Sequence, residues 1–112
     1  MISLPYIAGF FDGEGSVFCT AQGYIAVSIT QRRPKVLRLI HAHLGYGRIV
    51  SSKGDAIYFY RITRADHLEM FLSAIQPFVH EKRDQVDLAL QMIHWDRAKR
   101  KKHWTLLKEL KR

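Results

Sequence analysis

The sequence predicts an α+β fold in which helices cover one face of a four-stranded antiparallel sheet, with elements in the order αββαββα. Three observations predict this order. A helical pattern opens the chain, two pairs of segments alternate apolar and polar residues around short turns, and each pair is followed by apolar residues at helical spacing. Two hairpins of this kind can join into one sheet whose second face stays free of helices.

The first predicted helix begins near the N-terminus and ends at Gly15. Ser3 is a residue type that caps helices, and Pro5 falls in the first turn, where proline is tolerated. Gly9 and Gly13 stand four residues apart, so they share one face of the helix. Because glycine has no side chain, a second helix backbone could approach that face closely. Such a contact would carry the end of the helix to a shared axis.

Two acidic residues, Asp12 and Glu14, lie at the end of the same helix. The helix macrodipole disfavours negative charge there. Residues that break a local rule without an evident structural gain are candidates for function. The alternative is an ordinary amphipathic helix with two solvated carboxylates, and this stretch alone does not decide between the two.

The two hairpins come next. In the first, Ile25, Val27 and Ile29 point to one face of a strand, and Gln22 and Gly23 form the turn. The four predicted strands are residues 16–20, 24–30, 48–52 and 57–63, and the second turn contains Lys53, Gly54 and Asp55.

Helical spacing of apolar residues follows each hairpin. One helix is opened by Pro34 and stopped by Gly45. A second covers about residues 66–75 and is broken by Pro77, and a longer helix is predicted over 79–95.

The C-terminal segment 96–112 is expected to extend the domain formed by residues 1–95 as a basic helix or tail. Trp104, Leu107 and Leu110 are spaced for one face of one helix. Its cations would add phosphate contacts, or the segment packs as a helix with a solvated basic face. A membrane-surface helix is less favoured because the apolar stripe is narrow.

Composition and charge narrow the function. The 112 residues are 47% hydrophobic and 25% charged, as in globular proteins, and the length fits one domain. The net charge of +8 is segregated: residues 1–65 carry net +5, residues 66–96 net −4 and residues 97–112 net +7. Segregated charge of this size favours a nucleic acid as partner.

Cysteine usage and hydropathy exclude other classes. Cys19 is the single cysteine, so neither a disulfide framework nor a cysteine zinc site is expected. No apolar run is long enough for a membrane span, and the N-terminus does not have a signal-peptide pattern. We therefore expect an intracellular protein that is not secreted and has no membrane partner.

One face of the predicted sheet would remain free of helices. If alternation holds, it carries polar, basic and aromatic side chains, namely Ser16, Phe18, Thr20, Tyr24, Ser28, Arg48, Ser52 and Arg61. Such side chains on a twisted ribbon suit base edges in a major groove, although a solvated sheet face is the plainer alternative.

Residues 7–15, Ile-Ala-Gly-Phe-Phe-Asp-Gly-Glu-Gly, resemble the nine-residue signature of the LAGLIDADG homing endonucleases. Glu14 stands where a second Asp is more usual. The predicted order of elements is also similar to that family's fold, so the resemblance extends over roughly residues 4–95. It implies a saddle-shaped sheet on duplex DNA, with the motif helices of two copies packed at a two-fold axis.

The resemblance also implies an activity, the metal-dependent hydrolysis of double-stranded DNA with Mg²⁺, for which Mn²⁺ would substitute. It implies that Glu14 binds the metal and that the Gly13 carbonyl joins it. Gln31 matches a polar residue that orders active-site water, and Lys82 matches an active-site lysine. Asp12 is expected to have a structural or supporting role.

One motif per chain implies a homodimer on a long, near-palindromic DNA site, in a bacterial, phage-encoded or organellar setting. The expected DNA contacts are the eight free-face residues above together with Gln22, Arg32, Arg33, Lys35 and Lys53. The expected dimer interface consists of Ala8, Gly9, Asp12 and Gly13.

Two other functions stay open. One is a non-cutting protein of the same fold, either an intron maturase that binds RNA or a DNA-binding regulator. The presence of Glu14, Gln31 and Lys82 argues against it. The other is a structural protein that uses its glycine-bearing helix only to dimerise, which leaves the basic sheet face unexplained.

Overall fold

The structure, a computed structural model, describes residues 2–52, 54 and 56–111. Lys53, an expected DNA contact, and Asp55 of the second predicted turn lie outside the described residues. None of the helices within this part of the chain combines the length and the apolarity that crossing a membrane requires.

The observed elements follow the predicted order and add two short helices at the end. They are α1 (Leu4–Glu14), β1 (Gly15–Cys19), β2 (Ile25–Gln31), α2 (Lys35–Leu44), β3 (Arg48–Ser51), β4 (Tyr58–Ile62), α3 (Ala65–Ile75), α4 (Arg83–Met92), α5 (Arg97–Lys102) and α6 (Leu106–Glu109). The predicted α+β class and the αββαββα order are therefore confirmed.

The four strands form one antiparallel sheet in the order β1-β2-β4-β3. Each hairpin contributes two neighbouring strands, and the hairpins join through β2 and β4. The register aligns residues across all four strands. One such row, followed from edge to edge, is Ser16, Ser28, Arg61 and Arg48.

The hydrophobic core lies between the helices and one face of this sheet. Fully buried side chains include Phe11 of α1, Ile29 and Tyr60 of the sheet, and Phe71 of α3. The Phe11 and Phe71 rings meet edge to face with centroids 5.6 Å apart. Burial of large aromatic and aliphatic side chains is the main stabilising contribution in such a core.

Helix α1 begins and ends as its sequence predicts. Ser3 is the N-cap, and its hydroxyl accepts the backbone N–H of Tyr6 at 3.3 Å. At the other end, a Cβ on Gly15 would clash with the Phe11 ring. Glycine is therefore required at this junction because the chain passes directly over a core aromatic.

Helix α4 differs from the helix predicted over residues 79–95. It begins only at Arg83, because the backbone N–H groups of residues 80–82 donate to the Asp12 carboxylate of α1. It ends at Met92. A tertiary contact replaces the helical hydrogen bonds at its start, which no local pattern could indicate.

The C-terminal segment is also not the single helix that the apolar spacing predicts. Residues 103–105 separate α5 from α6. Leu107 of α6 is fully buried in the core, whereas Leu110 remains 41% exposed. The segment thus packs against the domain, and α5 keeps its basic side chains mostly in solvent.

Candidate nucleic-acid interface and active site

Glu14 is the last residue of α1, and the sheet begins at the next residue. Its side chain is exposed, and within the described part of the chain it has no hydrogen-bond or ion-pair partner. A carboxylate without partners at a helix C-terminus is unfavourable for the free protein, since the macrodipole repels it. Its oxygen atoms are consequently available to a ligand.

An open groove joins Glu14 to the end of β2. Glu14, Thr30, Gln31, Arg32, Arg33 and Ile57 line this groove. The sequence placed Gln31 near Glu14 only through the resemblance, and the fold brings the two residues to one surface. Arg32 and Arg33 add two exposed guanidinium groups there, which makes the groove suitable for phosphates. Lys35 is exposed at the start of α2.

Lys82 lies on the other side of the junction between α1 and β1. Its ammonium donates to the backbone carbonyl of Asp12 in the last turn of α1. It lines a second groove together with Gly15 and Ser16. Gln31 and Lys82 therefore occupy two grooves that adjoin at the peptide between Glu14 and Gly15.

Asp12 holds the loop before α4 in place. Its carboxylate accepts the backbone N–H groups of His80, Glu81 and Lys82 at 2.6, 3.2 and 3.1 Å. Partial burial acts to raise the pKa of Asp12, but these three donors and the Lys82 ammonium outweigh it and hold the pKa below its usual value. The Asp12 carboxylate thus makes structural hydrogen bonds within its own chain.

The expected dimer interface needs correction at Ala8, which is fully buried within the single chain. The Asp12 carboxylate accepts hydrogen bonds from residues 80–82 of the same chain, and its place at the interface stays a prediction. The helical period puts Ala8 on the same side of α1 as Ile7 and Phe11, which face the core.

Gly9 and Gly13 do lie on the exposed side of α1. A Cβ at either position would meet no atom within 4 Å. The same side carries Tyr6, which is 51% exposed, and the Phe10 ring stacked on Tyr6 with centroids 6.3 Å apart. We name Tyr6, Gly9, Phe10 and Gly13 the glycine face.

The free face of the sheet carries the row of Ser16, Ser28, Arg61 and Arg48. Arg48 and Arg61 are direct cross-strand partners, so two like charges face each other. The Arg61 guanidinium stacks on the Phe59 ring at 4.8 Å, and its Nε is buried without a hydrogen-bond partner in the described residues. In the free protein, the positive charges of Arg48 and Arg61 therefore have no ion-pair partner among the described residues.

The hairpin ends on this face are held by the chain's own groups. The Thr20 hydroxyl accepts the backbone N–H of Tyr24 at 3.1 Å, and the Ser52 hydroxyl accepts that of Ile57 at 3.0 Å. Arg97 of α5 stacks on the Tyr24 ring at 4.6 Å and donates to the carbonyl of Gln22 at 3.0 Å. The first turn is therefore braced by the C-terminal segment.

The absence of a side chain at Gly23 allows Arg97 of the C-terminal segment to lie this close to the first turn. The φ of Gly23, +88°, lies in the left-handed region, and a Cβ there would lie 2.8 Å from the backbone oxygen of Arg97. Arg100 donates to the Gly23 carbonyl at 2.8 Å and also to that of Trp95. Arg97 and Arg100 are thus occupied with structural contacts rather than free as predicted for the basic tail.

Sequence reasoning missed several residues of these surfaces. Phe59, Val50 and Thr30 share a row on the free face, and strict alternation would have included them. Phe18 lies in the next row with Ala26. Lys111, in the groove with Lys82, had no local signal because only the folded C-terminal segment brings it there.

The donor set for a metal is small. No group of three His, Cys, Asp or Glu side chains suited to a metal occurs among residues 2–52, 54 and 56–111. Each chain offers the free Glu14 carboxylate and the adjoining Gly13 carbonyl of the same helix end. Oxygen donors of this kind fit Mg²⁺, which commonly takes one or two carboxylates and completes its shell with phosphate oxygens and water.

Solved structures share this fold. The archaeal intron-encoded homing endonuclease I-Vdi141I, complexed with DNA, matches 96% of this chain and 82% of its own at 27% identity and a TM-score of 0.71. The LAGLIDADG meganuclease I-AabMI, bound to uncleaved DNA, matches 98% and 44% at 24% identity and a TM-score of 0.76. The homing endonuclease I-CvuI, also with DNA, matches 80% and 64% at 22% identity and a TM-score of 0.72.

The chain thus spans 64% of the length of I-CvuI and less than half of I-AabMI. Structures of I-CvuI were determined in the presence of Mg or Ca. No protein-family model matches the sequence, and no curated protein matches it. The chain therefore has the fold of the LAGLIDADG homing endonucleases, and the predicted resemblance is confirmed.

Proposed function

We propose that this protein is a site-specific endonuclease that hydrolyses double-stranded DNA with a divalent metal ion. One observation carries the proposal: the free Glu14 carboxylate lines the groove with Gln31, and the next two residues, Gly15 and Ser16, line the groove with Lys82. The neighbours in structure that support it are homing endonucleases solved with DNA.

The active protein would be a homodimer that joins through the glycine face. Each chain has one Glu14, whereas a duplex has one scissile phosphate in each strand. An exposed apolar face built around Gly9 and Gly13 allows two α1 helices to approach closely and brings both Glu14 residues to the two-fold axis. Two chains of this length also approximate the single I-AabMI chain, of which this chain matches 44%.

The two-fold axis determines the target. Because both sheets read DNA in the same way, the site is long and nearly palindromic. The row that contains Arg48 and Arg61 would contact base edges, and Arg32, Arg33 and Lys35 would contact phosphates. The DNA supplies the negative charge that the free face lacks.

Hydrolysis requires a water oxygen to attack phosphorus while the bond to the 3′ oxygen breaks. A divalent ion held at Glu14 and the Gly13 carbonyl would supply charge neutralisation and favour deprotonation of water. Gln31 would orient the attacking water through its amide, and Lys82 would stabilise the charge that develops on the phosphate. Asp12 keeps Lys82 at the end of α1.

The cofactor would be Mg²⁺, and Mn²⁺ would substitute because carboxylate, carbonyl and water ligands suit both ions. A nuclease of this kind acts on a genome, so the protein would work inside a cell.

Cleavage selection tests the proposal. Wild-type protein and Glu14→Gln are incubated with a randomised duplex library and Mg²⁺, and the cut ends are sequenced. Enrichment of nearly symmetric sites by the wild type alone would support the proposal. Capture of duplex or structured RNA without cutting would replace it with a non-cutting binding protein of the same fold.

A further inference from the structure

The groove that contains Lys82 has a second cation. Lys111, beyond α6, lines it together with Lys82 and Gln85 of the α4 region and Ser16 of β1. Partial burial, and secondarily the neighbouring Lys82 ammonium, lower the pKa of Lys111. The fold has therefore brought two like charges together, with Lys111 in an exposed C-terminal turn.

Gln85 gives a second, independent sign of a ligand. Its side chain belongs to the core side of α4 and is only 7% exposed, yet its Oε1 has no hydrogen-bond partner within the described residues. Buried polar groups are nearly always paired, so an orphan of this kind requires an explanation. Rotation of the amide exchanges Oε1 and Nε2, so the same side chain can present a donor to the groove.

The charges determine the sign of the ligand. Two ammonium groups disfavour a cation, and the single carboxylate on the rim, Glu81, is exposed and does not balance both. Lysine ammonium, serine hydroxyl and glutamine amide are all donors to phosphate oxygens. The groove is thus built for an anion.

The position of the groove on the protein indicates which anion would reach it. Ser16 belongs both to this groove and to the first position of the row across the free face. A DNA strand that lies on the free face and passes the junction between α1 and β1, beside Glu14, would bring its backbone to Ser16 and then to Lys82 and Lys111.

We propose that this groove binds a backbone phosphate of the DNA duplex, and that Lys111, delivered by the C-terminal segment, is a binding residue that acts together with Lys82. This inference rests on the proposed function, since the ligand is the same duplex.

The test measures binding without cutting. In a Glu14→Gln background, Lys111→Gln is compared with Lys102→Gln, which removes the same charge from the exposed end of α5. Affinity for a selected or genomic duplex is measured over a range of salt concentrations. Lys111→Gln is expected to weaken binding roughly tenfold, as for loss of one hydrogen bond to a charged group, and to reduce the salt slope by about 1. Equal small losses for both variants would overturn the inference.

Gln85→Met keeps the shape of the side chain and removes its polar atoms. We expect weaker duplex binding with an unchanged or higher melting temperature, because the unpaired acceptor is gone. A variant that melts like the wild type and binds like it would contradict the role of Gln85.

A third measurement separates the possible anions. The ¹⁵N signal of the Lys111 ammonium is followed during titration with duplex and with inorganic phosphate. A shift with duplex alone supports the proposal, whereas an equal shift with millimolar phosphate identifies a free-phosphate site and overturns it. If wild type binds duplex but Lys111→Gln matches its control, only this inference fails; if wild type binds no duplex, the proposed function fails with it.

Discussion

Asp12 and Lys82 are joined twice. The Asp12 carboxylate accepts the Lys82 backbone N–H at 3.1 Å, and the Lys82 ammonium donates to the Asp12 backbone carbonyl. The pair fastens the end of α1, which carries Glu14, to the start of α4. These two hydrogen bonds thus hold Lys82 at the end of the helix that carries Glu14, the other proposed catalytic residue.

Replacement of Asp12 should change how the stability of the protein depends on pH, and this change would reveal the role of the carboxylate. The folded-state pKa of Asp12 lies below its usual value, so the carboxylate stabilises the protein above about pH 4, the unfolded pKa, and this stability is lost as pH falls through the folded pKa. Asp12→Asn should cost about 1–2 kcal/mol at pH 7. Urea unfolding from pH 7 to pH 3 should show the two proteins converging at low pH.

Asp84→Asn is the matched control, since Asp84 lies exposed in the first turn of α4. It removes the same charge near the same helix end without breaking the three backbone hydrogen bonds. Equal destabilisation by both variants would mean that helix-end charge, and not the contact with residues 80–82, explains the effect.

Alanine at the glycine face should separate folding from assembly. Gly9→Ala places a methyl group in open space within the single chain, so it should raise chain stability by about 1 kcal/mol through helix propensity. The same methyl group should push two α1 helices apart and weaken the dimer. Sedimentation at several protein concentrations measures the second effect, and chemical unfolding of the monomer measures the first.

Ser73→Ala provides the comparison, because Ser73 is exposed on α3 and gains helix propensity without touching the glycine face. It should leave association unchanged. A Gly9→Ala protein that associates as strongly as Ser73→Ala would rule out α1 as the dimer interface.

Arg48 should matter to DNA and not to folding. Arg48→Gln removes one of two cations that face each other across β3 and β4, so the free protein should be as stable as the wild type or up to about 1 kcal/mol more stable. Duplex affinity should fall, and target preference should relax at one position in each half-site, because Arg48 is proposed to contact a base edge. A uniform loss of affinity across sequences, with a salt slope smaller by about 1, would instead indicate a phosphate contact and contradict base reading by Arg48.

Arg38→Gln is the control for Arg48→Gln, because Arg38 is exposed on α2, away from the free face. If both variants lose affinity to the same extent, the loss reflects net charge alone.

Arg100 should behave as a structural residue. Its guanidinium donates to the carbonyls of Gly23 and Trp95 and so joins the first hairpin turn to the C-terminal segment. Arg100→Met should destabilise the protein by about 2–3 kcal/mol, because hydrogen bonds to a charged group are lost. Calorimetry should show no comparable change for Lys101→Met, whose side chain is exposed.

Arg100 also makes contacts that its local sequence did not predict. The tail's charge predicted phosphate contacts or a solvated basic face, and no pattern in residues 96–112 indicated that Arg97 and Arg100 would hold the turn around Gly23. Their partners, Gln22 and Gly23, lie 75 and 77 residues earlier in the chain. Periodicity describes a residue's own element and gives no information about such distant pairs.

Local patterns in the sequence were sufficient to predict the order of the main elements and the two faces of the sheet. Ser3, Gly15, Pro34, Gly45 and the strict alternation in 24–30 act through local backbone and burial preferences, which depend on near neighbours. The resemblance of residues 7–15 to the LAGLIDADG signature implied the fold and the proposed chemistry. Separately, Glu14 stood out as a functional candidate because negative charge is disfavoured at a helix C-terminus.

The arrangement around Glu14 depends instead on contacts between distant parts of the chain. In the assembled protein, Ala8 faces the core, and the backbone N–H groups of residues 80–82 donate to the Asp12 carboxylate. Helix α4 is shorter than predicted, and Lys111 lies beside Lys82. Each of these results joins groups that are far apart in the chain, and long-range packing and hydrogen bonding decide them once the elements are assembled. Local preferences specify which elements form, whereas the assembled core specifies which side chains remain free to act.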